Sequence, residues 1–274
     1  MPRRLRLDAE LVRRGLARSR DHAAALVHDG RVTVAGRVAE KPATAVTTDV
    51  ALVVREHAAG DDYVSRGGHK LAGALAIFEP LGLTVTGKRC LDAGASTGGF
   101  TDVLLRHGAA VVLAVDVGYG QLAWSLQQDP RVEVIDRTNV RQLTLDQIGE
   151  PVDLVTSDLS FISIGLVLPA LTAVCRPDGD LVLMVKPQFE VGRDRLGKGG
   201  VVRDPALRAE AVHAVAATAY EIGWGTREAT ASPLPGPSGN VEYFLWLRRG
   251  LPPLTAEASA RLVASGPTGE KVAP

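Results

Sequence analysis

A lysine stands at the end of an otherwise apolar run, residues 181–185 followed by Lys186. The five apolar residues are typical of a short strand that is buried on both faces. An ammonium group placed there is costly unless it has a partner or a task. Lys186 therefore either lays its stem on the sheet and extends its charged end to water, or it handles a proton in a reaction.

Three more polar residues stand at the ends of predicted elements. Asp158 ends one predicted strand, Glu242 lies in the last predicted strand, and Lys70 begins a predicted helix. Each has an ordinary structural explanation by itself, as a turn, solvated or cap residue. In a doubly wound sheet, however, the ends of neighbouring strands line one crevice. We expect these three residues and Lys186 to share that crevice.

This set of residues suits methyl transfer to a ribose hydroxyl. The oxygen must lose its proton as a sulfonium gives up its methyl group in an in-line displacement. Free lysine has a pKa of about 10.4, so a lysine base needs surroundings that lower it to about 7–8, through burial and a second cation. We predict that Lys186 takes the proton, that Asp158 orients its amine, and that Glu242 holds Lys70 or the ribose.

A glycine-rich turn, residues 92–100, follows the first strand of the same region. It departs from the dinucleotide motif G-x-G-x-x-G at Ser96 and lacks the G-K-[ST] of a Walker loop. Asp92 suits a cationic ligand and Asp116 suits ribose hydroxyls, and S-adenosylmethionine satisfies both demands. The predicted cofactor-binding residues are Asp92, Gly94, Ser96, Thr97, Gly98, Phe100, Asp116 and Asp136. For Asp136, a turn-capping role is an equal alternative.

Repeated strand–helix units must position these residues. From residue 88 onward, Val- and Leu-rich runs alternate with helical stretches, and NVEYFLWLRR follows a loop with no room for a helix. The pattern predicts an α/β fold with a Rossmann-like, mostly parallel sheet that ends in a hairpin with an antiparallel last strand. Asp204-Pro205 predicts a helix through Ile222, and the tail predicts a short helix from Thr255 to Val263.

The first 60 residues predict a small α+β module. Asp8 is predicted to cap a helix that stops at Gly15, and a second helix is predicted over 20–29. RVTVAGRV predicts a hairpin about Ala35-Gly36, and residues 49–54 predict one more strand. The predicted domains are residues 1–60, a linker 61–66, a catalytic domain 67–250 and a tail 251–274.

The N-terminal module is basic although the 274-residue chain has zero formal net charge. Residues 1–60 hold eleven Lys or Arg against seven Asp or Glu. Guanidinium groups suit phosphate oxygens, and structured RNA is recognised largely through its backbone. The residues predicted to bind RNA are Arg4, Arg6, Arg14, Arg18 and Arg20. A structural adaptor is the alternative.

Composition argues against several classes of protein. The only cysteines, Cys90 and Cys175, lack the C-x-x-C spacing of a zinc site and are too far apart in sequence to predict a disulfide framework. No run of about 18 apolar residues predicts a membrane span, and MPRRLRLDAE lacks the apolar core of a signal peptide. We expect a cytoplasmic protein that uses no membrane and no metal.

Residues 6–37, RLDAELVRRGLARSRDHAAALVHDGRVTVAGR, resemble an S4 RNA-binding domain. The rest of the chain contains the motifs SRGGHKL, LDAGASTGGFT, DVGYGQL, DLSFIS, VKPQFE and PLPGPSGNVEYFLWL. With these motifs, the chain through about residue 249 resembles the hemolysin-A-like (TlyA) ribosomal RNA methyltransferases, which join an S4 domain to an FtsJ/RrmJ-like 2′-O-methyltransferase domain. The family's Lys-Asp-Lys-Glu tetrad falls on Lys70, Asp158, Lys186 and Glu242.

The resemblance implies 2′-O-methylation of cytidine in ribosomal RNA, with S-adenosylmethionine as cofactor and ribosomal subunits as partners. Longer-ended members act on both 16S and 23S RNA, and this basic N-terminus and tail resemble that branch. Susceptibility to capreomycin- or viomycin-type antibiotics would follow. The joint Asp61–Val64 departs from the basic-aromatic linker of some relatives. The alternatives are a ribosome-assembly factor without activity, a membrane-lytic protein, and a nicotinamide-dependent dehydrogenase.

Two other features leave alternatives open. Phe161 and Tyr119, beside the site motifs, either stack on a base or on adenine, or belong to the core. The loop 191–205 is either a plain connection or grips the RNA backbone. Its candidate contacts are Arg193, Arg195 and Lys198.

Overall fold

A computed structural model describes residues 4–17, 20–28, 30–54, 63–197, 199–236 and 239–267. The first part contains β1 (Arg4–Arg6), α1 (Leu7–Arg13), α2 (Arg20–His28), β2 (Val32–Val34), β3 (Arg37–Val38), β4 (Ala45–Thr47) and β5 (Leu52–Val54). Strands β1 and β4 form an antiparallel pair, and a three-stranded sheet has the order β3-β2-β5. These elements enclose a small apolar core that includes Leu7, Leu11 and Val32.

The hairpin prediction is confirmed, because Ala35 and Gly36 both have positive φ, 49° and 81°, between β2 and β3. The prediction that Asp8 caps the first helix is wrong. Helix α1 begins two residues earlier than that cap implies, at Leu7, with Arg6 as its N-cap. The Asp8 carboxylate instead accepts hydrogen bonds from Arg6 and Arg20 and from the next backbone amide.

The rest of the chain contains α3 (Gly67–Phe78), β6 (Arg89–Ala93), α4 (Gly99–Arg106), β7 (Val111–Val115), α5 (Trp124–Gln127), β8 (Val132–Ile135), α6 (Leu145–Ile148), β9 (Val152–Ser157), α7 (Ile164–Val174), β10 (Cys175–Val185), α8 (Pro187–Glu190), α9 (Pro205–Glu221), β11 (Trp224–Ala231), β12 (Tyr243–Arg249) and α10 (Ala256–Ser265). One seven-stranded sheet has the order β11-β12-β10-β9-β6-β7-β8. Strand β12 is antiparallel to both its neighbours, and the pairs from β10 to β8 are parallel. The predicted Rossmann-like sheet with an antiparallel last strand is confirmed.

Both faces of this sheet are covered. In β10, Leu181, Leu183 and Val185 belong to one apolar cluster, whereas Val182 and Met184 belong to another. Side chains alternate across a strand, so the two clusters lie on opposite faces. The continuous apolar run before Lys186 follows from this burial on both sides.

The sheet register brings several element ends together. Ala93 at the end of β6 pairs with Ser157 at the end of β9, and β10 ends at the same edge. Because β12 runs the other way, it starts there, with Tyr243 opposite Val185. The residues directly after β6, β9 and β10, and directly before β12, therefore meet at one edge.

The helix predictions for the C-terminal part are confirmed. Asp204 caps α9, its Oδ1 accepting the Ala206 amide at 2.8 Å, and Thr255 caps α10. Val263 of α10 is buried in the main core, so the first part of the predicted tail packs on the sheet. The predicted final hairpin is formed by β11 and β12, although the residues of β11 were not themselves predicted to be a strand. The domain boundaries stay predictions, and residues 61–62 of the linker lie outside the described ranges.

Candidate functional site

The glycine turn between β6 and α4 has an unusual backbone. Gly94 and Gly98 have φ values of 88° and 100°, and Ser96 also has a positive φ, 47°. At Gly98, which caps α4, a Cβ atom would overlap the Leu126 side chain. A non-glycine residue in the left-handed region costs about 1–3 kcal/mol, so the turn at Ser96 stores strain that its neighbours must hold.

Asp92 lies at the base of this turn and is fully buried. Its Oδ2 accepts the Thr101 hydroxyl at 2.7 Å, and its Oδ1 has no hydrogen-bond partner among the residues that the structure describes. Burial raises the pKa of Asp92 to about 7, and the nearby Asp158 and Asp116 carboxylates raise it too, against the Thr101 hydrogen bond. A buried carboxylate with an unpaired oxygen fits a cationic ligand group.

The two later acids are held by backbone amides. Asp116 Oδ2 accepts the Ser96 amide at 2.8 Å and Oδ1 accepts that of Gly118 at 2.7 Å. Asp136 Oδ2 accepts the Gly120 amide at 2.9 Å. Asp116, directly after β7, therefore fixes the glycine turn that follows β6. Asp136 fixes the loop that follows β7.

Lys186 forms the first of two lysine–carboxylate pairs. Its Nζ lies 2.6 Å from Asp158 Oδ1 and donates to Ser160 Oγ at 3.0 Å. The lysine side chain is only 9% exposed, so the amine is sheltered and held from two sides. The Asp158 amide donates to the Ala93 carbonyl at 3.1 Å, which places this pair beside the glycine turn.

Lys70 and Glu242 form the second pair, with Nζ and Oε2 2.5 Å apart. Both side chains are buried, at 8% and 1% exposure. Gln188 Nε2 approaches the other Glu242 oxygen at 3.4 Å. A Cβ on Gly67, which starts α3, would lie 3.8 Å from Asp158 Oδ2, so α3 brings Lys70 to the first pair.

A cavity of about 410 Å³ joins these groups. Its lining includes Lys70, Asp158 and Lys186 together with residues of the glycine turn, namely Gly94, Ala95, Ser96, Thr97, Gly99 and Phe100. The volume lies within the usual range for a small-molecule site. The four polar residues lie close together as predicted, while their catalytic roles and those of the cofactor residues stay predictions.

The side chains of Phe161 and Tyr119 do not belong to the core. Phe161 is 92% exposed, has a φ of 65°, and its ring centroid lies 5.3 Å from that of Phe189. Tyr119 is 68% exposed, with the Arg137 guanidinium 4.2 Å from its ring centroid. Phe100, in contrast, is buried and its ring stacks on Phe244, so its side chain belongs to the core.

The arginines of the N-terminal module differ in their environments. Arg14 donates to Glu10 and to the carbonyls of Thr48 and Val50, which gives it an internal role. Arg6 and Arg20 share the Asp8 carboxylate but are 52% and 59% exposed. These bonds hold the pKa of Asp8 at about 2. Of the other predicted contacts, Arg4 is exposed on β1, and Arg18 lies outside the described residues.

The loop 191–205 is anchored at both ends. Val191 and Val202 are buried together with Ala211 of α9. Arg195 donates to Glu210 at 2.6 Å, and Lys198 and the Arg193 side chain lie outside what the structure describes. Binding of RNA by this loop stays a prediction.

Sequence reasoning missed several residues of the site. Ser160 contacts Lys186 and Gln188 contacts Glu242, each through its side chain, and Glu190 bonds to the start of α7 beside them. Their presence in DLSFIS and VKPQFE was the available signal. Within the described ranges, no cluster of His, Cys, Asp or Glu is arranged to hold a metal ion. None of the helices in these ranges has the length and apolarity needed to cross a membrane.

Comparison with known proteins agrees with this geometry. Residues 63–249 match the FtsJ-like methyltransferase family and residues 5–51 match the S4 domain. The chain is 62% identical over 251 residues to the 16S/23S rRNA (cytidine-2′-O)-methyltransferase TlyA of Mycobacterium tuberculosis, covering 90% of this chain and 91% of the relative. It is 35% identical over 185 residues to the 23S rRNA (cytidine-2′-O)-methyltransferase TlyA of Campylobacter jejuni, 67% and 70% of the two chains.

The whole chain also resembles a solved structure. A hemolysin candidate from Streptococcus thermophilus superposes with a TM-score of 0.72 at 36% identity, covering 96% of this chain and 95% of the other. The prediction of a class I methyltransferase joined to an S4 domain is thereby confirmed, and the dehydrogenase alternative is wrong. The chain belongs to the TlyA family of FtsJ-like, S-adenosylmethionine-dependent methyltransferases that carry an N-terminal S4 domain.

Proposed function

We propose that this protein methylates the 2′-hydroxyl of cytidine in 16S and 23S ribosomal RNA, acting on ribosomal subunits in the cytoplasm. The observation that carries the proposal is the pair of sheltered lysine–carboxylate contacts, Lys186–Asp158 and Lys70–Glu242, beside the glycine turn. The similarity to a relative named for this reaction on both RNAs supports the choice of substrate.

The residues around the glycine turn fit the cofactor. S-adenosylmethionine supplies a methyl group on a positively charged sulfur when it is bound. The unpaired Oδ1 of Asp92 suits its ammonium group, and the amides at the start of α4 suit its carboxylate. Asp116, fixed by two amides, suits the ribose hydroxyls.

Lys186 takes the proton of the attacking hydroxyl. After the amine has released its own proton to solvent, its neutral Nζ accepts the hydroxyl proton, and the Asp158 carboxylate, 2.6 Å away, stabilises the ammonium that results. Ser160 holds the amine from a second direction, so the acceptor has a defined position in the cavity. Lys70, held by Glu242, lines the same cavity as Lys186 and provides the second cation of the site.

The test is methyl transfer from labelled cofactor to purified small and large ribosomal subunits, followed by mapping of 2′-O-methylcytidine. We expect both subunits to be labelled by the wild type. Lys186→Ala should lower the rate by about 100-fold or more while changing the cofactor Kd by less than about threefold. Cells without the gene should also become less susceptible to capreomycin-type antibiotics.

Lys88→Ala provides a matched control. Lys88 also forms an ion pair with a buried carboxylate, Asp180 at 2.8 Å, but at the opposite end of the sheet. This variant should retain full activity. Label on a base instead of a ribose would overturn the proposed reaction, and an active Lys186→Ala variant would remove the role of Lys186.

A further inference from the structure

A carboxylate ties together the two segments that carry the Lys186–Asp158 pair. Glu190 ends α8, the short helix that directly follows Lys186. Its Oε1 accepts the Ile164 amide at 2.8 Å and its Oε2 accepts the Ser163 hydroxyl at 2.5 Å. Ser163 is the N-cap of α7, and the loop 158–163 leads into it. These contacts, which we name the Glu190 clamp, join that loop to α8.

In the Glu190 clamp, the carboxylate accepts hydrogen bonds from neutral groups. Among the residues that the structure describes, no Lys or Arg forms an ion pair with Glu190. Burial raises the pKa of Glu190, and the hydrogen bonds from Ser163 and Ile164 lower it. A partly desolvated carboxylate whose recorded partners are a hydroxyl and an amide costs more than one paired with a cation. The burial of the Glu190 carboxylate therefore needs an explanation other than an ion pair.

The loop itself supplies that reason, because its backbone is strained. Phe161 has a φ of 65°, in the left-handed region that residues with side chains avoid. Such a conformation persists only when the surroundings determine it. Here the ring of Phe161 packs against Phe189 of α8, and the Glu190 clamp fixes the end of the loop two residues later.

We propose that Glu190 is a positioning residue for methyl transfer. By fixing the loop 158–163 against α8, it sets where Asp158 and Ser160 stand around the Lys186 nitrogen. The kinetic part of this inference rests on the proposed function. Glu190→Ala removes both acceptors, whereas Glu190→Gln keeps the length of the side chain and one carbonyl acceptor.

Hydrogen exchange tests the clamp without reference to activity. In Glu190→Ala, the hydrogen-bonded amides at the start of α7, residues 164–166, should exchange at least about tenfold faster than in the wild type. Amides in the later turns of α7 should be unchanged. Glu210→Ala, which removes a carboxylate from the exposed pair with Arg195, is the control and should leave this region protected. Unchanged exchange in Glu190→Ala would overturn the clamp.

Kinetics test whether the clamp positions the site. Glu190→Ala should lower kcat about 10- to 100-fold with little change in the KM for cofactor, and Glu190→Gln should restore most of kcat. Faster exchange with a wild-type kcat would overturn the positioning role, as would a loss of activity that Glu190→Gln does not reverse. If the wild type methylates neither subunit, the proposed function fails, and the exchange result still decides whether the clamp exists.

Discussion

Replacing Asp92 with asparagine removes a charge from the base of the glycine turn and keeps the size of the side chain. Asp92 has a pKa of about 7 because it is fully buried. If only its ionised form binds the cationic cofactor, the affinity must follow the ionised fraction. For a pKa near 7, that fraction falls about tenfold between pH 8 and pH 6, or about 1.4 kcal/mol of binding free energy.

The same carboxyl group affects the stability of the free protein. Its folded pKa of about 7 lies above the ordinary value of 3.8, so the unfolded chain releases its proton first as pH rises. The free energy of unfolding should therefore decrease from about pH 4 to pH 7, by at most about 4 kcal/mol, and then stay constant. At pH 8, Asp92→Asn should raise Tm by about 5 °C or more, after the weakened Thr101 hydrogen bond is counted.

Calorimetric titration of cofactor into both proteins across this pH range is the assay. The amino group of the cofactor titrates in the same range, at about 8, but that contribution is common to both proteins. As the pH is lowered from 8 to 6, the affinity of the wild type for the cofactor should fall more than that of Asp92→Asn. At pH 8 the variant should bind the cofactor about 30-fold more weakly than the wild type does. Parallel pH profiles, or equal affinities, would show that the charge on Asp92 does not hold the cofactor.

Gly98→Ala should destabilise the protein by about 2–4 kcal/mol, since it adds left-handed strain and an overlap with Leu126, and calorimetry should show a Tm lower by about 5–10 °C. An unchanged Tm would mean that the turn relaxes freely. The double variant Arg6→Ala, Arg20→Ala should bind ribosomal RNA more weakly and reduce the slope of log K against log salt by about 2. Arg131→Ala, which breaks an ion pair in the methyltransferase domain, is the control, and an unchanged slope in the double variant would exclude these contacts.

The sheet could be predicted because burial on both faces leaves a simple pattern of short apolar runs. Strand β11, with the sequence WGTREATA, lacks that pattern and becomes a strand because it pairs with β12 at the edge. Aspartate is a common helix cap, but the carboxylate of Asp8 accepts hydrogen bonds from the side chains of Arg6 and Arg20 instead. Pairing with β12 thus overrides the local preference of β11, and side-chain bonds to Arg6 and Arg20 override that of Asp8.

The sequence predicts which residues come together at the site, because they lie at the ends of strands and helices. It does not predict which of these side chains pair with each other. Lys70, Asp158, Lys186 and Glu242 follow from strand ends and one helix start, whose positions the topology determines. That Lys70 pairs with Glu242 and Lys186 with Asp158 depends on side-chain geometry that spacing does not contain. Glu190 was not predicted for the same reason, because its partners lie 26 and 27 residues away in the loop it holds.

The Lys70–Glu242 contact spans 172 positions of the chain, and β12 must insert between β10 and β11 to make it. Contacts so distant in sequence close late in folding. A chain truncated before β12 lacks Glu242 or the strand that positions it, so we expect such a chain to be inactive in methyl transfer even if its glycine turn forms.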